Sequence, residues 1–453
     1  MNARKPPPAN WEVAVPQFEA PIDVVERLNE ECFCITLDRP DLMRALDAQV
    51  GLAGFADALA TSHPSLFSNV PIFIASSTMA AMKQVVAAVE AAARLPGYRA
   101  AALAWAPPLA ATDFGPTGVL MGYDFHVTPT GPQLIEVNTN AGGAFLNHVL
   151  AEAQRACCAG DHALTGIATP PHDFGSRILG MFIAEWRNQR GSGLPANIAI
   201  VDDSPEAQYL LPEFQLAKAL LEQHGIATII TDAGALACDG KMLHLDGCRI
   251  DLVYNRLVDF ALAEPRHAAL RAAYEAGVVV VSPNPHVYAL LADKRNLTLL
   301  SDADRLEQWG LAPAHREALR GAVPKTVLVT PANASSLWGN RRNQFFKPAG
   351  GHGSKAAYRG DKVTHKVWSD ILAGNYVAQA FAEPSARIIN RDGMPAELKV
   401  DVRLYTYAGE VLLAAARLYQ GQTTNMRTPG GGFSPVLELA SSPDESTLRQ
   451  CSI

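Results

Sequence analysis

Between residues 196 and about 290 the chain alternates short β-branched runs with helix signals, and few folds accept that alternation. Residues 197–201 read as a strand. Asp202-Asp203-Ser204-Pro205 then announces a helix with proline in its first turn, and Leu210, Phe214, Ala217 and Leu221 supply its buried stripe. Pro212 must kink that helix or restart it. Further strands are expected at 226–231, 251–254 and 278–281. The four consecutive valines of the last suit a sheet covered on both faces. The expectation is a parallel α/β module whose ligands gather beyond the carboxyl ends of the strands, near Asp202, Asp203, Asn255, Arg256 and Asn284. No GxGxxG follows the first strand, so a dinucleotide reading lacks its signature.

The 453 residues are 48% hydrophobic and 18% charged, a balance that supports buried cores rather than disorder. A net charge of −7 gives no electrostatic reason to expect nucleic acid or an anionic membrane as partner. The cysteines (Cys32, Cys34, Cys157, Cys158, Cys238, Cys248 and Cys451) are odd in number and scattered. They form neither a disulfide framework nor paired zinc hooks, which points to a reducing compartment. No apolar run follows the basic N-terminus, and Lys83 and Glu90 interrupt the best apolar stretch near the front, so a soluble, cytoplasmic protein is expected. Residues 1–115 read as mostly helical with one or two strands. A β-prone run at 70–75 leads into a helix capped by Ser76, Ser77 or Thr78, striped by Met79, Met82, Val86, Val89 and Ala93, and ended by Pro96-Gly97.

The sharpest local signal is YDFHVTPTGPQLIEVNTNAGG, residues 123–143. It reads as two strands, 123–128 and 133–138, joined by a turn at Pro129-Thr130-Gly131-Pro132. Side chains alternate along each strand, so Asp124 and His126 share one face, while Leu134, Glu136 and Asn138 share a face of the other strand. An odd turn brings Asp124 across from Glu136 or Asn138, and an even one rotates them apart. Two carboxylates and an amide oxygen together make a hard oxygen site suited to Mg²⁺. A solvated hairpin face is the plain alternative.

Downstream, Lys347 ends an apolar run and precedes the glycine loop that holds Gly350, Gly351, His352, Gly353 and Ser354, where backbone amides can approach phosphate closely. Lys294, in ADKRNLTLL, is a second cation able to meet phosphate. In residues 399–431, Arg403 and Arg417 can converge from adjacent strands joined by an Ala408-Gly409 turn. Arg427, beside the 430–432 glycines, can grip carboxylate or phosphate as a fork. Salt bridges at the surface explain any one of these arginines equally well. No histidine shows zinc-protease spacing.

Taken together these segments resemble the ATP-grasp superfamily. Asp124 followed by Glu136-x-Asn138 resembles its metal-binding motif, FFKP with the glycine loop its lid lysine, and DKRNLTLL its earlier ATP-contacting lysine. VAQAFAEP, residues 377–384, resembles the linker whose backbone reads adenine, which brings in Gln379, Ala380, Phe381 and Glu383. DVRLYTYAGEVLLAAARLY with TTNMRTPGG resembles the strand pair and substrate-side loop of glutamate-ligating members, placing Arg403, Arg417, Asn425 and Arg427 in the site. The carboxylate hairpin comes before the lid, an order that resembles the circularly permuted branch containing glutathionylspermidine synthase and eukaryotic-type glutathione synthetase. Two departures stand out: Gly122 where many relatives carry an arginine, and Ala141 where many have proline.

The resemblance implies an α/β (α+β) ATP-grasp fold in permuted order. Its expected parts are an N-terminal helical region (1–115), a metal-binding part (116–195), a Rossmann-like module (196–290), a glycine-rich lid (291–380) and the remaining core with the substrate-side loop (381–453). It implies an ATP-dependent ligase joining a small-molecule carboxylate to an amine through an acylphosphate. Asp124, Glu136 and Asn138 would hold magnesium, as two ions, with Lys294, Lys347 and the glycine loop on ATP. Arg403, Lys347 and Arg427 would be catalytic, and Arg417, Asn425 and Arg427 would bind substrate. A kinase of a small-molecule hydroxyl, or a nucleotide-binding protein without chemistry, is the alternative.

Overall fold

A computed structural model of the chain describes residues 21–33, 35–154, 173–350 and 356–439. The β-prone run near residue 70 forms β1 (Ile72–Ala75), and the helix Ser76–Ala93 follows directly. Met79, Met82, Val86, Val89 and Ala93 are all buried, as the helical period requires. Contrary to expectation no side chain caps this helix: Ala75 is its N-cap, and the Ser76 hydroxyl donates to the Leu439 carbonyl at 2.9 Å. Pro96 does not merely stop the chain. It opens the next helix, Pro96–Leu103, where the missing amide costs nothing.

The hairpin forms from β2 (Met121–Thr128) and β3 (Gly131–Asn138), but its turn is Pro129-Thr130 alone. Gly131 and Pro132 belong to the strand. This even turn would by itself set Asp124 opposite Ile135 and send Glu136 to the other face. A bulge between Asp124 and Phe125 corrects the parity: Phe125 pairs with Leu134, and Asp124 with Glu136. Leu134 therefore packs in the core with Phe125, while Ile135 turns toward the same cleft as Glu136.

The α/β module contains β4 (Asn197–Asp202), β5 (Ala227–Asp232), β6 (Leu252–Asn255) and β7 (Val280–Ser282), all parallel in the order β7-β6-β4-β5. Residues 202–205 do not start a helix as expected but lead into the short 3-10 turn Pro205–Ala207. The helix is Leu211–Gln223, with Pro212 in its first turn. A second unit is antiparallel: β8 (Thr326–Leu328), β9 (Gln344–Pro348), β10 (Tyr358–Arg359) and β11 (Tyr376–Ala380), in the order β8-β11-β9-β10. It has its own small core around Phe346, Trp368 and Ile371.

The last described residues form β12 (Ser385–Arg391), β13 (Met394–Tyr407), β14 (Glu410–Tyr419) and β15 (Gly432–Leu439). β13 and β14 turn at Ala408-Gly409, both at positive φ as a tight hairpin needs. The central sheet runs β1-β15-β14-β13-β2-β3, with β12 paired to β13. The N-terminal region thus contributes an edge strand, β1, parallel to β15. Among the described residues no helix is long and apolar enough to cross a membrane. Cys32 is buried, whereas Cys34, Cys157, Cys158 and Cys451 lie outside the described residues.

Candidate active site

The central sheet and the antiparallel unit face each other across a cleft of about 1000 Å³, counting its open mouth. Strand alternation presents Asp124 on β2, Glu136 and Asn138 on β3, Asp401 on β13 and Arg417 on β14 to this space, and Arg403 lies beside them. Register explains the grouping: Arg403 pairs with Asp124, and Asp401 with Arg417.

Asp124 is buried and grips two arginines. Arg403 donates from Nε to Oδ1 at 2.6 Å and from Nη2 to Oδ2 at 2.7 Å, and Arg417 Nη2 reaches Oδ2 at 2.8 Å. Burial alone would raise the Asp124 carboxyl, but the two guanidiniums hold it far below the ordinary range. Arg417 also donates from Nε to Asp401 Oδ1 at 2.5 Å, and the Thr424 hydroxyl donates to the other Asp401 oxygen. Asn138 turns Nδ2 toward both acids, 3.1 Å from Asp124 Oδ2 and 3.2 Å from Glu136 Oε1.

Lys347 at the end of β9 is buried and joins the two halves. Its Nζ donates to the Ile135 carbonyl and to Gln379 Oε1, each at 2.8 Å. The carbonyl it meets belongs to the residue that the bulge sets out of register, so the parity correction and the lysine contact occur at one residue. Burial pulls the Lys347 ammonium down to about 8, against the attraction of Glu136. Lys294 lies 3.8 Å from Glu136 Oε2. Burial would raise the Glu136 carboxyl, but Lys294 and Lys347 outweigh it and leave it below its usual value.

Toward the linker, Phe345 and Phe381 line the cleft, and the Arg359 guanidinium stacks 4.5 Å from the Phe381 ring centre. Gln379 is buried with its oxygen committed to Lys347. Its Nε2 is buried without a hydrogen-bond partner. Five basic residues (Lys294, Lys347, Arg359, Lys399 and Arg417) line the cleft against three acidic ones, Asp124, Glu136 and Asp401. In a chain of net charge −7 this local excess of positive charge favours an anionic ligand.

Other expected residues stand elsewhere. Ala380 and Phe381 line the cleft, but Glu383 is exposed and does not. Gly350 is exposed and is not part of the lining, and Gly351, His352, Gly353 and Ser354 lie outside the described residues. Asn425 folds its side chain back on its own loop: Nδ2 donates to the Gln420 carbonyl at 2.7 Å, and Oδ1 accepts from the Arg427 amide and the Thr428 hydroxyl. Arg427 is exposed, 5.8 Å from the Tyr209 ring centre, and is not in the cleft wall. Sequence reading missed His126, Lys399, Asp401 and Arg359. The first three were accessible from strand alternation, because they share faces with Asp124 and Arg403. Arg359 had no local signal.

A separate cluster lies on the α/β module. Ligand atoms of Asp203, Glu264 and His267 fall within 4.8 Å of one another, a donor set consistent with one divalent cation. The His267 ring is clamped by Asp259 at 2.8 Å and Asp203 at 3.0 Å, and Arg266 Nε also reaches Asp203 at 3.0 Å. Burial would lower the imidazole, but these two aspartates raise it above its usual value.

No protein-family model matches the chain, and no curated protein matches it. Among solved structures the chain is similar to a glutathione synthetase-like effector (GSS30) from Globodera pallida, in apo form. Identity is 11%, 89% of this chain and 99% of that chain are covered, and the TM-score is 0.52. The architecture is ATP-grasp-like. A putative gamma-glutamylcysteine synthetase from Methylobacillus flagellatus KT is 10% identical, with 79% of this chain and 87% of that chain covered and a TM-score of 0.46. The ATP-grasp ligase PsnB, with minimal precursor, Mg and ADP, is 14% identical over 56% of this chain and 94% of its own, with a TM-score of 0.27. At these identities the likeness is one of fold. Here the carboxylate hairpin precedes the antiparallel unit in the chain.

Proposed function

We propose that the chain is an ATP-dependent ligase that joins a small-molecule carboxylate to an amine. The observation carrying this reading is the 2.8 Å hydrogen bond from Lys347 to the Ile135 carbonyl. It brings a buried lysine 212 residues downstream to the hairpin that holds two carboxylates, in a cleft whose lining is net basic.

The donor set fits the groups this reading requires. Asn138 aims its amide nitrogen between Asp124 and Glu136, a position that a cation would take. Two arginine donors already occupy Asp124 Oδ2, so Glu136 has more free lone pairs and would carry the larger share of a magnesium ion, with Asp124 Oδ1 assisting and Asn138 joining through its Oδ1 once the amide turns over. Magnesium bound there would neutralise triphosphate charge. The Phe345, Phe381 and Arg359 surfaces suit a nucleobase.

In the reaction, Lys347 and Lys294 would hold the triphosphate oxygens, and Arg403 and Arg417, fixed by Asp124, would stabilise negative charge on the phosphoryl group during transfer. The substrate carboxylate attacks the γ-phosphorus, releasing ADP and leaving an acylphosphate. The amine attacks the acyl carbon, the bond to phosphate breaks, and an amide forms. Closure over the cleft would keep water from the acylphosphate. The test is to incubate the purified chain with Mg-ATP and a small-molecule metabolite extract and search by mass spectrometry. A new amide with stoichiometric ADP and phosphate supports the proposal. A new phosphoester, or nucleotide binding with no turnover, refutes it.

A further inference from the structure

Gly122 sits on β2 two residues before Asp124 and pairs with Asn138, so any side chain there would point toward the site. A Cβ at Gly122 would lie 2.5 Å from the Ala141 Cβ, 3.2 Å from Arg403 Nε and 3.4 Å from Arg403 Cδ. The first contact is shorter than carbon atoms tolerate. The other two mean that Arg403 passes directly over the bare glycine on its way to Asp124.

Ala141 cannot readily move aside, because the carbonyls around it are held from two directions. Arg256, from the end of β6, donates to Asn140 O at 2.9 Å and to Ala141 O at 3.5 Å. Tyr405, from β13, donates its hydroxyl to Gly142 O at 2.8 Å, and Arg403 Nη1 lies 3.5 Å from the same oxygen. Just beyond, buried Glu213 accepts from the amides of Gly143, Phe145 and Leu146. A methyl group at position 122 would therefore be forced off Ala141 and toward Arg403, whose long side chain is the neighbour able to give way. The backbone at Gly122 is not in the left-handed region, so the obstacle is space alone.

We infer that Gly122 and Ala141 are a matched small pair that positions Arg403: their combined lack of bulk is what lets its guanidinium lie against Asp124 beside the phosphoryl group. Both are positioning residues, acting only through Arg403. The inference rests on the nucleotide reading above, and deepens it by making discrimination for the terminal phosphate depend on two residues without functional groups.

The test is a double-mutant cycle with Gly122→Ala and Ala141→Gly, read as Mg-ATP and Mg-ADP dissociation constants by calorimetry. The wild-type chain should favour Mg-ATP over Mg-ADP. Gly122→Ala should reduce that preference at least tenfold while Mg-ADP binding changes less than threefold, and adding Ala141→Gly should restore most of it. General damage to the cleft would weaken both nucleotides together, leave the preference unchanged and overturn the inference. So would failure of Ala141→Gly to restore it. If Gly122→Ala does not fold, recovery of folding and preference in the double variant supports the matched pair, and absence of recovery refutes it. A wild-type chain that binds neither nucleotide would instead overturn the nucleotide reading and this inference with it.

Discussion

Replacing Lys347 with methionine separates a lysine kept for a ligand from one kept for the fold. The side chain is buried, and its ammonium sits at about 8 instead of 10.5. Keeping it charged near neutral pH therefore costs about 3 kcal/mol relative to water. Methionine removes that cost but strips a donor from the Ile135 carbonyl and from Gln379 Oε1, a loss of about 1–1.5 kcal/mol each. The opposing contributions leave a net change near zero, and the melting temperature should move by less than about 3 °C. Binding behaves differently. A unit charge about 4 Å from a phosphate oxygen is worth about 4 kcal/mol at an effective dielectric of 20, and even half of that corresponds to roughly 30-fold in affinity. Thermal unfolding and Mg-ATP calorimetry on the same preparation give both numbers. A large fall in melting temperature with unchanged nucleotide affinity would show that Lys347 serves the fold, and would refute the reasoning.

The same lysine sets a pH dependence: above about 8 the free site loses the proton that the polyphosphate needs, so Mg-ATP affinity should be flat below pH 7 and fall by up to tenfold per pH unit above 8. Calorimetry across pH 6–10 checks this, and a slope that persists in Lys347→Met refutes it. Glu136→Gln removes the freer carboxylate of the hairpin, so extract-dependent phosphate release should fall at least about 100-fold while Mg-ATP affinity changes a few-fold. Equal turnover would remove Glu136 from the metal assignment. On the α/β module, burial lifts the Asp202 carboxyl to about 6. The folded chain binds its proton more tightly than the unfolded chain does, so this group's contribution is full below pH 3.8 and is lost as pH rises through 6. Asp202→Asn should then stabilise the protein by up to about 3 kcal/mol at pH 7 but not at pH 3.5, as measured by urea unfolding at both.

Several features were legible because they are local. The stripe of Met79, Met82, Val86 and Val89, the Ala408-Gly409 turn, and the alternation that sets Asp401 and Arg403 on one face follow from the periods of a single helix or strand. Lys294 and Lys347 could be named from their segments, but not paired with Glu136, because nothing within either segment encodes a contact across the cleft. The exposed positions of Arg427 and Glu383 were equally invisible, since loop residues carry no period.

The amino-acid order by itself determined which side chains could share a face, and so supplied Asp124, Glu136 and Asn138 as a candidate set. Whether they meet was decided in three dimensions. The Pro129-Thr130 turn has the wrong parity, and only a bulge that leaves the Ile135 carbonyl to Lys347 returns Glu136 to the side of Asp124. A strand's period extends only along the strand. Its register depends on the surfaces packed against both of its faces, and here one of those surfaces comes from a distant part of the chain.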